Sequence, residues 1–511
     1  MKFQDLGNCI LVDKIAGINT HSPDYGKMGL AEILEQELNT KIYVVHRLDK
    51  STSGAILFAK TPESATELSQ QFEQHMVKKT YLFLTDKIIN EKQLTRKSHI
   101  KKHMGEFVSR ANEEINSETS FQWIRTLGKY QLWEAYPVTG KPHQIRLHAA
   151  DAGMPILGDT EHGGSEFFRV CLHALRIEIQ IDGAQHSLST PEPLWVQNLD
   201  DLETIIATEA IERREKIYQI SEHPEQCFRL IHNELNNYRL DQYGENLWAY
   251  WYLDRDPNDG DMIRFMDLHQ KYQKNIYIRK MLNRGDDPNT QLLWKIGDPN
   301  HRWTAFENNI KFELRSDMGQ SPGLFLDQRE NRKWVQENAK DKTVLNLFSY
   351  TGGFSVAAAL GGAKEIVTVD TSSNFIDWSK DNFRLNQVDP DKYEFWTTDA
   401  QLFLKGTHKR GRKFSLIICD PPSFGRSKEG VFSISKNFKE LMMQCLFCLG
   451  SGGILLFSTN YEKWELADLK KQVDQLKREF SIRVSDTPMA GLDFELPGQS
   501  SLMKSLLIYK K

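Results

Sequence analysis

The chain has no run of about 18 consecutive apolar residues, so the sequence predicts no helical membrane span. Its first residues, Met1–Asp5, lack the apolar core of a secretory signal peptide. It has only 6 cysteines, scattered without the paired spacings of zinc sites. The one C-x-x-C, Cys445–Cys448, lies in an apolar helical stretch and is typical of buried free thiols. We therefore expect a cytoplasmic protein with reduced thiols, no membrane association and no metal site.

A strong positive charge is also missing, since the formal net charge is −4 with a pI near 6.5. The overall balance therefore does not indicate nucleic-acid binding, but two local clusters are basic. The first, with Glu106 as its only acid, contains Lys92, Arg96, Lys97, Lys101, Lys102 and Arg110. The second contains Lys405, Lys409, Arg410, Arg412 and Lys413. Each could bind phosphates or form a solvated loop.

With 511 residues, the chain exceeds the size at which one core keeps growing, so several domains are expected. Short β-like runs fill the N-terminal third, and a charged helical stretch follows. A second β-rich stretch precedes a region of regular β/α alternation. The predicted fold is multidomain, α+β and α/β. Its parts are a mixed-sheet domain (1–199), a linker helix (200–221), a small β-rich domain (222–318) and a Rossmann-like domain (319–511).

The C-terminal alternation predicts a parallel, doubly wound sheet. Its strands are expected at Val344–Phe348, Glu365–Val369, Tyr393–Thr397, Phe414–Cys419 and Gly453–Ser458. In the N-terminal domain, strands are expected at Ala55–Phe58 and Tyr81–Leu84, and a helix at Pro62–Met76, capped by Thr61.

The most specific motif is His46–Gly54, H-R-L-D-K-S-T-S-G, which follows the apolar run Ile42–Val45. A strand delivers Asp49 to a loop of small residues that leaves its carboxylate reachable. The string resembles the H-R-L-D-x-x-T-S-G signature of the RluA-type RNA pseudouridine synthases. The resemblance covers about residues 8 to 195 and implies that Asp49 is the catalytic carboxylate.

Two further segments match that family in the same order. Lys79–Tyr81 resembles its K-x-Y motif, which implies that Tyr81 stacks on the target base. Gly140–His148, followed by Gly153–Asp159, resembles its G-R-T-H-Q-I-R-x-H and G-x-P-I-x-G-D motifs. Arg146 is then expected to pair with Asp49, and a guanidinium can do so bidentately.

The family likeness also implies that Arg47 and His143 bind the RNA substrate. The chain departs from the pattern at Lys141, where the family has an arginine, and at Pro142, where it has a threonine. These changes leave substrate choice open. Pseudouridine formation breaks the N1–C1′ bond, rotates the base and rejoins it through C5. It needs an ionised carboxylate that acts as a nucleophile or assists glycosyl elimination, and a neighbouring cation favours the ionised form.

The second constellation begins at Val344–Ser355, which predicts a strand, a glycine turn and a helix start. Glycines let the backbone approach a cofactor, and a helix N-terminus favours its carboxylate. Asp370 ends the next strand, where an acid would bind ribose hydroxyls. Asp399 follows the third strand and could meet an adenine amino group. Asp420–Phe424 places an acid and an aromatic ring at the end of the fourth.

This ensemble resembles the class I S-adenosylmethionine (AdoMet) methyltransferases, and most closely the large-subunit ribosomal RNA enzymes of the RlmK and RlmI kind. A further matching string is Gly323–Arg329. The resemblance implies AdoMet as cofactor, Asp420 as a catalytic residue and Phe424 as a substrate contact. The implied cofactor residues are Asp327, Gln328, Phe348, Tyr350, Thr351, Gly352, Asp370 and Asp399.

The methylated atom depends on chemistry. C5 of a pyrimidine is a poor nucleophile, so its methylation needs a covalent cysteine adduct, whereas guanine N7 already offers a lone pair. The cytosine enzymes of this group carry F-S-C-S where this chain has Phe457–Asn460, F-S-T-N, which is closer to the F-S-N-N of guanine N7 enzymes. The sequence favours guanine N7, with cytosine C5 as the alternative.

Together, the resemblances imply a bifunctional enzyme that isomerises uridine and methylates a base. The expected partner is RNA, most specifically 23S ribosomal RNA or a pre-ribosomal particle. Two alternatives remain open at this stage. One is a non-catalytic RNA-binding factor, and the other is an enzyme with one active half whose other half docks RNA. The sequence does not determine the oligomeric state.

Overall fold

The computed structural model describes residues 3–22, 29–197, 199, 201–281, 293–427, 430–487, 490–494 and 502–511. Within these ranges, no helix has the length and apolar character needed to cross a bilayer. The chain divides into two compact units, of which the first ends at Gln219 and the second begins at Ile220.

The first unit is built on a mixed 11-stranded sheet. Its strands are β1 (Phe3–Asp5), β2 (Cys9–Lys14), β3 (Tyr43–Val44), β4 (Ser53–Ala59), β5 (Lys78–Thr85), β6 (Gln93–His103), β7 (Glu106–Arg110), β8 (Ser117–Leu127), β9 (Tyr130–Pro137), β10 (Leu172–Ile181) and β11 (Ala184–Ser189). The spatial order is β1-β2-β4-β10-β5-β9-β8-β6-β7, with β3 on β4 and β11 on β10. The described helices of this unit are α1 (Leu30–Leu38), α2 (Pro62–Glu73), α3 (Gln144–Asp151) and α4 (Leu202–Tyr218).

The fully buried strand β4 lies between β2 and β10, parallel to β10 and antiparallel to β2. Gly54 is required at its start, because a Cβ there would lie 2.2 Å from the carbonyl oxygen of Ala174. Helix α2 begins where the sequence predicted, with the Thr61 side chain accepting from the backbone N–H of Ser64. This part of the fold follows from local sequence signals.

Helix α4 belongs to the first compact unit. The side chain of Asp201 caps its N-terminus, and Ala207, Ala210, Ile211 and Arg214 are buried. The sequence predicted a helix here but treated it as a linker. The buried positions of α4 include two alanines and an arginine, so the helix shows only a weak amphipathic pattern in the sequence.

The second unit contains a seven-stranded sheet. Its strands are β19 (Thr343–Leu347), β20 (Glu365–Asp370), β21 (Glu394–Thr397), β22 (Phe414–Cys419), β25 (Leu449–Thr459), β26 (Ile482–Asp486) and β27 (Lys504–Lys510). The spatial order is β21-β20-β19-β22-β25-β27-β26. The helices around it are α6 (Arg329–Asn338), α7 (Gly353–Leu360), α8 (Ser373–Leu385), α9 (Ala400–Lys409), α10 (Ile434–Cys448) and α11 (Leu466–Asp474).

The five strands predicted for this sheet form, and they pair in parallel. Two further strands that the sequence did not predict add an antiparallel edge, because β27 pairs antiparallel with both β25 and β26. Parallel neighbours need a crossover connection, whereas a chain that turns back directly gives antiparallel pairing. The sheet is therefore doubly wound with an antiparallel edge.

The β-rich segment that precedes this sheet packs into the same compact unit. It comprises β12 (Cys227–Ile231), β13 (Tyr238–Tyr243), β14 (Asn246–Trp251), α5 (Asp259–Tyr272), β15 (Asn275–Lys280), β16 (Leu293–Ile296), β17 (Arg302–Glu307) and β18 (Ile310–Arg315). The hairpin β23 (Phe424–Ser427) and β24 (Gly430–Ser433) follows β22. Arg332 of α6 pairs bidentately with Glu307 of β17 at 2.6 and 2.7 Å, and both side chains are buried. A shared apolar core and this ion pair therefore join the β-rich segment to the sheet.

We predict that the first unit is more stable as a fragment that ends after Gln219 than as a fragment that ends before α4. Fragment 1–219 should be soluble and folded, and fragment 1–199 should be less stable by at least about 2 kcal/mol, because removing α4 exposes the apolar surface that it covers. Thermal unfolding followed by circular dichroism measures the difference. Equal melting of the two fragments would show that α4 does not stabilise the first unit.

Candidate active sites

Asp49 lies in the turn between β3 and β4, and its side chain is 29% exposed. It lines a cavity of about 1250 Å³. Arg47, Tyr81, His143 and Arg146 line the same cavity. The first unit thus brings together all five residues that the sequence assigned to its site, from segments almost one hundred residues apart along the chain.

The fully buried ammonium of Lys14 holds the turn that carries Asp49. Its Nζ donates, over 2.6 to 3.3 Å, to four backbone carbonyls, those of Ile15, Asp49, Lys50 and Thr52. Burial lowers the pKa of Lys14 to about 7, against the opposing charge of Asp49. Sequence reasoning missed this residue. The available signal was a lysine that ends strand β2, two residues after the apolar run Cys9–Val12.

Arg146, on α3, pairs mainly with Asp159 and only weakly with Asp49. Its Nε and Nη2 donate to the two oxygens of Asp159 at 2.8 and 2.5 Å. Its Nη1 lies 3.9 Å from Oδ2 of Asp49. The expected pairing with Asp49 is therefore present as one long contact and is not bidentate. The guanidinium instead forms its bidentate pair with the fully buried Asp159, and its Nη1 places a positive charge near the carboxylate of Asp49.

Tyr81 lies on β5 and is 8% exposed. Burial, together with the charge of Asp49, raises the pKa of its phenol, so the ring stays neutral. Lys79 lines the same cavity, donates to the carbonyl of Thr139 at 3.2 Å and has its pKa lowered to about 8 by burial. Stacking of Tyr81 on a base stays a prediction.

Several motif residues build the walls of the cavity. The Nε2 of His46 accepts from the backbone N–H of Leu57 at 3.0 Å, and its ring stacks on Phe72. Burial lowers the pKa of His46 to about 3, so its imidazole is neutral. Gln144 accepts from the backbone N–H of Lys141 at 3.0 Å and donates to the carbonyl of Glu118. Because Lys141 enters this turn through its backbone, its departure from the family pattern leaves the turn closed.

In the second unit, a tight turn follows β19. Phe348, Tyr350 and Gly352 have φ values of 56°, 49° and 76°, in the left-handed region. Such values are costly for the two aromatic residues and are typical of ligand-binding turns. A Cβ at Gly352 would lie 1.9 Å from Oγ of Ser379, so only glycine fits there.

Asp370, at the end of β20, braces this turn. Its Oδ2 accepts from the backbone N–H of Tyr350 at 2.8 Å, and its Oδ1 accepts from that of Ser372 at 3.0 Å. Burial raises the pKa of Asp370, and these backbone hydrogen bonds oppose the rise. Each carboxylate oxygen has a second lone pair that could accept from a hydroxyl.

Asp399 caps helix α9, with its Oδ1 accepting from the backbone N–H groups of Gln401 and Leu402. Buried polar atoms without a hydrogen-bond partner among the described residues lie near these candidates. They include the hydroxyls of Ser349, in the turn after β19, and of Ser379, beside Gly352, and Nε2 of Gln401. Unsatisfied buried groups are costly and mark positions that a polar ligand can satisfy. Asp370, Asp399 and the turn after β19 therefore fit a cofactor that carries amine, carboxylate and ribose groups.

Asp420, at the end of β22, accepts from the hydroxyl of Ser458 at 2.7 Å. Gln328 donates to the same hydroxyl at 3.0 Å, so it supports Asp420 through Ser458. Burial raises the pKa of Asp420 to about 6, and it also raises the pKa of Asp327. Thr351 donates to the carbonyl of Gly323 and so ties the turn after β19 to the segment before α6.

Phe424 is 49% exposed at the start of the hairpin that follows Asp420. Ser423 donates to the side chain of Asn460 at 2.9 Å, which links the D-P-P-S-F and F-S-T-N segments. Thr459, at the position of the cytosine enzymes' cysteine, is 1% exposed. Cys419 is fully buried, and burial raises the pKa of its thiol well above the ordinary value.

Comparison with known families assigns both halves. Residues 274–468 match the family described as S-adenosylmethionine-dependent methyltransferase, and residues 8–151 match the family described as RNA pseudouridylate synthase. The first range contains the methyltransferase motifs described above, and the second contains the synthase motifs up to His148. The cofactor of the first family is S-adenosylmethionine.

Two relatives and one solved structure illustrate the likeness. Ribosomal RNA large subunit methyltransferase K of Neisseria meningitidis serogroup B is 42% identical over 35% of this chain and 51% of its own. YwbD of Bacillus subtilis, described as a candidate ribosomal RNA large subunit methyltransferase, is 32% identical over 54% of this chain and 71% of its own. A solved candidate methyltransferase from Streptococcus mutans is 24% identical over 66% of this chain and 88% of its own, with a TM-score of 0.52, and supports the fold. The chain spans about half the length of the Neisseria relative.

We predict that Asp370→Asn weakens AdoMet binding by about 1.5–3 kcal/mol, because an amide nitrogen cannot accept from the turn or from ribose hydroxyls. Calorimetric titration with AdoMet measures the dissociation constant. Asp377→Asn on α8, whose side chain is 73% exposed, is the matched control and should bind as the unmodified protein does. Unchanged binding in Asp370→Asn would place the ribose elsewhere.

Proposed function

Since the chain belongs to the S-adenosylmethionine-dependent methyltransferases and also carries an RNA pseudouridylate synthase domain, we propose that it is a bifunctional enzyme that isomerises uridine and methylates a base of one RNA. The observation that supports this proposal most is that Asp49, Tyr81 and Arg146 line one cavity, since an isomerase needs its reactive groups around one base. The second unit supplies a separate set of cofactor and base contacts. A fold by itself does not define a function, so the proposal depends on these side chains.

In the synthase half, a uridine taken out of its stack would enter the cavity and lie against Tyr81. The partly exposed carboxylate of Asp49 would attack the sugar or base, or assist glycosyl elimination. The guanidinium of Arg146 at 3.9 Å favours the ionised carboxylate. Lys14 keeps the backbone of Asp49 fixed while the base rotates.

In the methyltransferase half, AdoMet supplies an electrophilic methyl group. Asp370 and the turn after β19 would orient the ribose and the amino acid part, and Asp399 would meet the adenine. Phe424 would stack on the target base, a contact worth about 1–3 kcal/mol. Asp420, held by Ser458, would read the edge of that base.

We propose large-subunit ribosomal RNA, specifically 23S RNA or a pre-ribosomal particle, as the substrate. One relative is named ribosomal RNA large subunit methyltransferase K, and a second is described as a candidate ribosomal RNA large subunit methyltransferase. The basic cluster on β6 and β7 offers phosphate contacts in the synthase half, with Lys101 of this cluster also pairing with Glu113. The cell compartment that fits this substrate is the cytoplasm.

We predict that Asp49→Asn lowers pseudouridine formation at least about 10²-fold, because the amide cannot act as the carboxylate. Release of tritium from RNA with 5-tritiated uridine measures the reaction. Methyl transfer to the same RNA should continue and serves as an internal check of folding.

The matched control is Asp182→Asn, which removes an exposed carboxylate outside the cavity. It should form pseudouridine at the unmodified rate. Wild-type rates in Asp49→Asn would refute the role of this residue.

We further propose that the methyl acceptor is guanine N7. Among the candidates for a covalent route, Thr459 carries no thiol and Cys419 is buried with a raised pKa, so C5 attack lacks a thiolate. N7 presents an in-plane lone pair and needs no covalent adduct. Asp420 and the exposed ring of Phe424 suit a flat purine.

The expected result with RNA that contains 5-fluorocytosine is no denaturation-resistant complex, since such complexes report cysteine adducts. Nucleoside mass spectrometry of the methylated RNA should detect 7-methylguanosine. A stable complex that disappears in Cys419→Ser would overturn the assignment and favour cytosine C5 methylation.

A further inference from the structure

Three side chains with metal-binding atoms converge beside the synthase cavity. They are His143, at the start of α3, and Glu161 and His162, in the segment after Asp159. Nδ1 of His143 lies 3.0 Å from Nε2 of His162. Oε1 of Glu161 lies 3.5 Å from the first nitrogen and 3.9 Å from the second. The three atoms form a small triangle.

The size of this triangle suits a tetrahedral ion. With zinc–nitrogen and zinc–oxygen distances of about 2.0–2.2 Å, neighbouring ligand atoms are about 3.3–3.5 Å apart. The observed separations lie on both sides of that value. A hydrogen bond between the two imidazoles also accounts for the shortest distance, so the rest of the surroundings decides between the two.

The orientation of Glu161 favours an ion. Its Oε2 accepts from Nη2 of Arg146 at 2.8 Å, while its Oε1 faces both imidazoles. Metal sites commonly hold a ligating carboxylate in this way, with one oxygen fixed by a neighbour and the other directed at the metal. A hydrogen-bonded histidine pair alone needs no such carboxylate.

Charge and backbone geometry point the same way. Beside the cluster, the carboxylates of Asp159 and Glu161 share the guanidinium of Arg146, so the three side chains leave one negative charge next to the imidazoles. His143 has a φ of 55°, a left-handed conformation that is costly for a histidine and is typical of functional positions. The local negative charge would attract a cation.

We propose that His143, Glu161 and His162 bind a divalent transition-metal ion, with zinc as the best match. Two imidazoles and one carboxylate are the ligand set that this class of ion prefers. Three protein ligands leave a coordination position for water or for a phosphate oxygen of RNA. The sequence predicted no metal site, because the two histidines are 19 residues apart and form no recognised spacing.

The test uses the full chain, prepared without a polyhistidine tag and freed of metal with a chelator. Titration with Co²⁺ should give the visible absorption of a tetrahedral site, and Zn²⁺ should displace the ion with a stoichiometry of one per chain. His162→Phe and the isosteric Glu161→Gln should each weaken binding at least about tenfold, because each removes one of three ligands. Circular dichroism checks that both variants are folded.

The matched control is His103→Phe, which removes an exposed histidine of β6 outside the cluster and should bind Co²⁺ as the unmodified chain does. Equal binding by the folded Glu161→Gln variant would overturn the proposal. So would the absence of a tetrahedral cobalt spectrum in the unmodified chain, since the cluster would then be a hydrogen-bonded pair. Neither result depends on whether the chain modifies RNA.

Discussion

The bidentate pair of Arg146 and Asp159 determines the geometry of the synthase cavity. Because Asp159 is fully buried, it takes both strong hydrogen bonds of the guanidinium and leaves only one edge to Asp49. The Nη2 of Arg146, which also bonds Asp159, donates to Oε2 of Glu161 and leaves Oε1 facing the two histidines. One ion pair thus sets the charge beside the reactive carboxylate and the shape of the neighbouring cluster.

In the second unit, hydrogen bonds within the protein also hold the candidate carboxylates in place before any ligand binds. Asp370 accepts from the turn that follows β19, and Asp420 accepts from Ser458. The buried pair of Arg332 and Glu307 joins the β-rich segment to the sheet. Such pairs cost much to desolvate but strongly penalise any arrangement that separates them, so they favour one arrangement.

Local patterns predicted the elements well. The start of α2 followed from Thr61 and Pro62, and the five parallel strands of the second unit followed from their apolar runs. The antiparallel edge was not predicted, because a strand's direction depends on how the chain returns to the sheet. The place of α4 in the first unit was missed because its buried positions include two alanines and the charged Arg214, so they form no clear apolar stripe.

The sequence by itself determined which residues form the two motif sets and, through the family likeness, the chemistry expected of each. Motif residues such as Asp49 and Asp370 carry that information because chemistry limits the residue types that can serve. Only the tertiary structure decided the partners. It placed Lys14 under the Asp49 turn, gave Arg146 to Asp159 and brought His143 to His162. Which side chains pair depends on their distance and burial in the folded chain, and the order of residues along the chain determines neither directly.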